Sequence, residues 1–243
     1  NLGAAPSARI AGWFAASGAP YAPEMCRRTP ADVKGGHLAV RKSDGRIILR
    51  DTAQTPEDQM HYFTDQFRHP FFHTNNLWFD LKVLRDTLAD RGGILGLPLI
   101  RNSKTVDPAD SSSTPVIQLE TAMGAAVEAF EGATAIEVPR SRFLPVKTTN
   151  DLLLVRSDVY EVDDDGLLQM VPDQACTVSL DPRFYKKIQD FEARFPDGVP
   201  SIKDAQSLTV EGDWTFGADV VATGEAHVEA EGSPGRIADG TRI

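Results

Sequence analysis

Apolar and polar positions along the chain fall into patterns that predict separate elements. In LAVRKSDGRIILRD, residues 38–51, two apolar runs flank an SDGR segment; an Asp-Gly step between such runs predicts two strands joined by a tight hairpin. Residues 60–88 are rich in aromatics, and Leu77, Leu81, Leu84 and Leu88 follow helical spacing. That spacing predicts a helix, with Thr74 or Asn75 able to cap its start. Residues 113–130 predict a short strand and then a helix of small residues, and NDLLLVRSDVY, residues 150–160, predicts a further helix opened by two capping residues. RNSKTVDPADSSST, residues 101–114, is polar and turn-rich and reads as a surface loop. EVDDDG, residues 161–166, reads as a solvated acidic turn, and residues 181–198 as a connecting strand and short helix.

From residue 208 the periodicity changes. LTVEGD, WTFGAD, VVATGE and AHVEAE run on without a gap to residue 231. Each unit has an apolar first position and an acidic last one, the spacing of a coil in which one six-residue unit forms one face.

Composition bounds the function without choosing it. The 243 residues are 41% hydrophobic and 25% charged, enough for a sizeable core in a globular protein. A formal net charge of −10 argues against broad contact with nucleic acid or an anionic membrane. Any anion must therefore meet a local basic site. No apolar run is long enough to span a bilayer. Cys26 and Cys176 are far apart and read as free thiols of a reducing compartment.

One such basic site stands out. Arg140, Arg142 and Lys147 occur together with no acid among them, in PRSRFLPVKTTNDLLL. Pro139 and Pro145 keep the stretch out of a long helix, so Lys147 is expected on a stiff loop running into the next helix. A lysine there is a point charge suited to phosphate, with Thr148, Thr149 and the backbone N–H groups of the helix start as further donors. The competing reading is a solvated loop paired with nearby acids. ADVKGGHLA, residues 31–39, sets Lys34 beside Gly35 and Gly36, which permit close backbone approach to a ligand; the competing reading is a turn into the strand at 38. The spacing is not that of a Walker loop. HTNNLW, residues 73–78, offers amides with donors and acceptors of the kind sugar hydroxyls need. His69 and His73 are four apart, but no third metal ligand has suitable spacing. Neither GxSxG nor HExxH occurs, so a hydrolase has no support.

Taken together, NLGA at 1–4, TPADVKGG at 29–36, HTNNLW, VIQLETAMGAA at 116–126 and VPRSRFLPVKTTNDLLLVRSDVY at 138–160 resemble the eukaryotic-type UTP–glucose-1-phosphate uridylyltransferases, or UDP-glucose pyrophosphorylases. The resemblance implies an α/β fold: part of a Rossmann-like (GT-A-like) nucleotidyltransferase domain, followed by a C-terminal left-handed β-helix. It places the sugar-binding part at 1–160, a connecting segment at 161–206 and the β-helix at 207–243. It implies attack of glucose 1-phosphate on the α-phosphorus of UTP, giving UDP-glucose and pyrophosphate, with Mg²⁺. Catalysis of this kind is positioning and charge neutralisation.

By the same resemblance Lys147 contacts the reacting phosphates, and the arginines support its loop. Glu24 accepts hydrogen bonds from glucose hydroxyls, Asn75 contacts the sugar, and Asn1, Gly3, Lys34, Gly35 and Gly36 belong to the substrate pocket. His73 stands where the family pattern has Asn, so its imidazole is expected to donate to a hydroxyl with altered geometry. The family's Gly-rich UTP loop has no counterpart in this sequence. The Mg²⁺-binding Asp is expected just upstream of residue 1, with no metal ligand inside the chain. The chain alone is therefore expected to have little or no activity. A broader UDP-sugar or UDP-N-acetylhexosamine pyrophosphorylase is the nearest alternative, and a non-catalytic module that self-associates through the coil is another. A cytoplasmic setting is expected.

Overall fold

Strand β1 (Tyr21–Arg27) organises the first half of the chain. In this computed structural model, which describes residues 1–29, 32, 35–52, 55–108 and 110–243, the chain divides into two units. One is Pro6–Arg140; the other joins Asn1–Ala5 to Ser141–Ile243. Leu153 and Val159 pack on the same core as the tail.

In the Pro6–Arg140 unit, helix α1 (Ala8–Ser17) starts where the Ser7 hydroxyl accepts the Ile10 amide and stops at Gly18, φ +66°. Strands β2 (His37–Val40) and β3 (Ile47–Arg50) pair antiparallel around the Asp44-Gly45 turn, as the alternation predicts. A 3₁₀ turn over Glu57–Gln59 leads into helix α2 (Met60–Phe63). Strand β4 (Phe71–Phe79) pairs antiparallel with β1, and helix α3 (Leu81–Asp90) follows.

Here the leucine spacing misleads. Leu77 lies in β4, so Thr74 and Asn75 are strand residues and cap nothing. Asp80 caps α3 instead, its carboxylate accepting the Lys82 and Val83 amides at 2.9 and 3.1 Å. The Phe, Trp and Thr content of residues 71–79 favours a strand against β1, and Leu81 is 74% exposed.

Strand β5 (Leu99–Thr105) and strand β6 (Pro115–Thr121) form an exposed hairpin, so residues 101–105 of the expected loop are strand. Met123–Glu128 is a 3₁₀ helix where a regular helix was expected; its buried Gly124–Val127 run joins Tyr21, Leu49 and Phe130 in the core. Strand β7 (Ile136–Glu137) completes a three-stranded sheet, ordered β4–β1–β7, by parallel pairing with β1.

In the other unit, helix α4 (Thr149–Arg156) leads to the hairpin of β8 (Tyr160–Val162) and β9 (Leu168–Met170), which closes over the acidic turn. Strand β10 (Thr177–Leu180) precedes two short helices, α5 (Pro182–Tyr185) and α6 (Ile188–Arg194), in place of the expected strand and helix. The tail stacks in parallel: β11 (Ala205–Val210) lies between β10 and β13 (Gly224–Val228), and β12 (Trp214–Phe216) pairs with β14 (Gly235–Ile237).

Leu208 sits beside Ala226, the first position of the unit three hexads later. Inward-facing Leu208, Val210, Phe216, Val220, Ala222, Ala226 and Val228 are all buried. They occupy hexad positions one and three, with the first position of the second hexad, Trp214, only partly buried, as a pleated face requires. Leu153, Val159, Tyr185 and Phe191 complete this core.

Candidate functional site

The pairing of β1 with β4 contains one irregularity. Pro23 faces Leu77 while Met25 faces His73, so Glu24 alone opposes Thr74, Asn75 and Asn76. The surplus residues bulge out of the ladder. At the tip Asn75 takes φ +65°, and its side chain is exposed; asparagine tolerates this left-handed conformation better than most residues. Two side chains brace the bulge by accepting amides two residues on. His73 Nδ1 accepts the Asn75 N–H at 3.0 Å, and Thr74 Oγ1 accepts the Asn76 N–H at 3.2 Å. The Thr74 hydroxyl also donates to the Glu24 carbonyl at 2.9 Å.

Glu24 is wholly buried. Its Oε2 accepts from Asn76 Nδ2 at 3.0 Å and its Oε1 from Trp78 Nε1 at 2.8 Å. A carboxylate taken out of water needs such donors, and the pair fixes the orientation of its plane. Asn76, one of the amides the sequence singles out, and Trp78, which it does not, thus hold the carboxylate in place. The available signal was a polar HTNN run inside an aromatic strand.

Gly35 and Gly36 are held against this bulge. A Cβ on Gly35 would lie 3.2 Å from Phe72 Cβ, and one on Gly36 would lie 3.2 Å from Asp51 Oδ2. The Gly36 carbonyl accepts the His73 amide at 2.7 Å. Arg28, also missed, donates through its guanidinium to the carbonyls of Phe63 and Gly35 and contacts His37 Nδ1 at 3.2 Å. His37 stacks on His69 with ring centroids 3.9 Å apart. Burial, then the charges of His69, Arg28 and Arg50, push the His37 pKa down to about 3. Lys34 lies outside the described residues.

His73 does not present a donor outward. Nδ1 is committed to Asn75, and Nε2 is buried without a hydrogen-bond partner. It faces Gly124, where a Cβ would come within 2.9 Å. Burial holds the ring neutral, with a pKa near 4. Among the described residues no group of three or more His, Cys, Asp or Glu side chains gathers as a metal centre would require.

The second cluster belongs to the other unit. Asn1 Oδ1 accepts the Gly3 and Leu144 amides at 3.1 and 2.8 Å, and Asn1 Nδ2 donates to the Arg142 carbonyl at 3.1 Å. Gly3 must be glycine here: a Cβ would lie 2.5 Å from the Ser141 carbonyl oxygen. Arg142 donates to the Ala5 carbonyl at 3.0 Å. These contacts stitch the first residues to the loop that carries Lys147.

The loop ends in a capping box at α4, where Thr148 and Asp151 bond reciprocally. Asp151 Oδ2 accepts the amides of Lys147 and Thr148 at 2.9 and 2.8 Å and the Thr148 hydroxyl at 2.9 Å. The Lys147 and Thr148 amides are therefore already taken, by an aspartate three residues into the helix. Lys147 itself is exposed, so anion contact rests on its ammonium. Arg140 belongs to the other unit, paired with Asp32 and lying 5.3 Å from the Phe72 ring centroid.

Comparison with known proteins adds an independent line. The family model described as UTP–glucose-1-phosphate uridylyltransferase matches residues 1–222. The uridylyltransferase of Hordeum vulgare is 41% identical over 95% of this chain and 47% of its own length. That of Saccharomyces cerevisiae is 39% identical over 92% of this chain and 44% of its own. Among solved structures, UDP-glucose phosphorylase from Trypanosoma brucei superposes with TM-score 0.89 at 41% identity, covering 100% of this chain and 53% of that one. A variant of UDP-glucose pyrophosphorylase from Leishmania major in complex with UDP-glucose gives 0.86 at 44%, covering 100% and 54%. The chain thus spans about half the length of the relatives it matches, and its mixed α/β fold is theirs.

Proposed function

We propose, for a chain that belongs to the UTP–glucose-1-phosphate uridylyltransferase family, that it forms the sugar-binding and phosphate-contacting part of an enzyme making UDP-glucose and pyrophosphate from UTP and glucose 1-phosphate. The observation that carries this reading is the bulge opposite Glu24. It holds a buried carboxylate between two N–H donors and displays Asn75 in a fixed, exposed conformation, at positions the resemblance assigns to sugar recognition. A fixed, exposed amide of this kind selects hydroxyl patterns, because a ligand of the wrong shape leaves it unpaired.

On the phosphate side, the exposed Lys147 ammonium would neutralise charge as the sugar phosphate attacks the α-phosphorus. An ammonium on a short rigid loop can follow the phosphate through its change of geometry. Asn1 and Gly3 act here by holding that loop, through Leu144 and Arg142. Mg²⁺ would add charge neutralisation. Among the described residues no group of three or more His, Cys, Asp or Glu side chains gathers to hold it.

The finer architecture belongs to the same proposal: a GT-A-like, Rossmann-like setting for the sheet around β1, and a left-handed β-helix for the parallel stack from Ala205. Self-association would use the coil surface lined by Trp214, Val228, Ile237 and Ile243. Buried Cys26 and Cys176, which are not joined in a disulfide, suit a cytoplasmic setting. No helix among the described residues is long and apolar enough to cross a membrane.

Calorimetric titration of a UDP-sugar panel tests the sugar assignment. UDP-glucose should bind at least tenfold tighter than UDP-N-acetylglucosamine. Equal affinity would favour the broader pyrophosphorylase, and no binding of either would remove the reading.

A further inference from the structure

The bulge is built by two consecutive side-chain acceptors, and one of them is unusual. Asn, Asp, Ser and Thr commonly accept the amide two residues on and so fold the backbone into a turn. Thr74 does this for Asn76, but the residue doing it for Asn75 is a histidine, through Nδ1 at 3.0 Å. That bond requires an unprotonated Nδ1, so the neutral ring carries its proton on Nε2. Nε2 is buried, lacks a hydrogen-bond partner and lies against Gly124. The ring therefore spends its outer nitrogen on packing space and its inner one on the turn. Neither nitrogen is left to recognise a ligand directly, Nε2 being buried and Nδ1 accepting the Asn75 amide. Asn75, the residue it holds, is exposed at φ +65°, a conformation a non-glycine residue keeps only when its surroundings impose it.

We propose that His73 is a positioning residue, setting the left-handed turn through Nδ1 so that the Asn75 amide is aimed for sugar recognition. The inference rests on the sugar-site reading above and deepens it. It differs from direct donation by His73 in a testable way. If His73 acts through Asn75, its effect depends on the Asn75 side chain, and any side chain able to accept the Asn75 amide restores it.

The experiment is calorimetric titration of UDP-glucose into the parent chain, His73→Leu, His73→Asn, Asn75→Gly and the His73→Leu/Asn75→Gly double variant. Glycine keeps the left-handed backbone while removing the amide. His73→Leu should bind about tenfold more weakly. His73→Asn should recover most of that loss, since its Oδ1 can accept the same N–H. In the Asn75→Gly background, His73→Leu should cost no more than about twofold. Failure of the parent to bind overturns the sugar-site reading and this inference with it. A parent that binds, with His73→Leu unchanged or with the same loss in both backgrounds, overturns the inference alone. Should His73→Leu fail to fold, long-range ¹H–¹⁵N spectra of the parent decide. The Nε2–H tautomer with an acceptor-type Nδ1 supports the role, and the Nδ1–H tautomer excludes it.

Discussion

Replacing Gly124 by alanine probes the contact on which the bulge leans. An ideal Cβ at this position lies 2.9 Å from His73 Nε2, 3.0 Å from His73 Cε1 and 3.1 Å from Leu49 Cδ2. The leucine methyl can rotate away. The imidazole cannot do so freely, because retreat breaks the bond from the Asn75 amide to Nδ1. Overpacking of this kind costs about 1–3 kcal/mol, and losing the hydrogen bond adds about 1 kcal/mol. Gly124 is not among the positive-φ glycines, so alanine returns about 0.4–1 kcal/mol by restricting the unfolded chain. The balance is a destabilisation of roughly 1–3 kcal/mol. In a His73→Asn background the clashing ring atoms are gone and only Leu49 must adjust, so the cost should fall below about 1 kcal/mol. Urea unfolding of the four proteins in the cycle measures the difference. Equal cost in both backgrounds, or a neutral Gly124→Ala in the parent, would refute the claim that Gly124 makes room for a fixed imidazole.

Other expectations follow from single contacts. His37 and His73 have folded pKa values near 3 and 4, below the ordinary 6.5. Between about pH 6.5 and 4 the unfolded chain binds protons the folded chain refuses, so stability falls with falling pH by up to about 1.4 kcal/mol per unit for each ring; flat stability from pH 7 to 4.5 in denaturant titrations would contradict this. Asp151→Ala removes the acceptor for two amides and a hydroxyl at the start of α4 and should cost about 1–2 kcal/mol in thermal unfolding. Leu208 is fully buried in the parallel stack of the tail, and Leu208→Ala should cost about 2–5 kcal/mol. Trp78→Phe leaves Glu24 Oε1 without its indole donor. It should weaken UDP-glucose binding severalfold, and unchanged affinity would show that the carboxylate's orientation does not matter.

What the sequence discloses depends on the range of the interaction. The parallel stack of the tail is legible because one side-chain period repeats locally, and Leu208 meets Ala226 as the hexad count requires. The 38–51 hairpin is legible because Asp-Gly fixes its turn. Strand β4 is not, because leucines from two elements happen to share helical spacing; pairing with β1 overrides that pattern. Nor is the Glu24 cluster, since Asn76 and Trp78 reach it only through a register irregularity between strands about fifty residues apart. The resemblance places Asn1 and Gly3 in the substrate pocket. Nothing local reveals that the Asn1 amide closes on Leu144. Of the three clustered cations, Arg140 pairs with Asp32 and Arg142 donates to the Ala5 carbonyl, contacts that the cluster alone does not announce.

The central claim is that this exposed lysine meets a phosphate, on a chain that reads the attached sugar. Titration of UDP-glucose into the chain, beside Lys147→Ala, tests it most directly. A charged hydrogen bond to phosphate is worth about 1.5–3 kcal/mol, so the substitution should weaken binding by about ten- to a hundredfold at unchanged thermal stability. Binding of equal strength by both proteins would contradict the account.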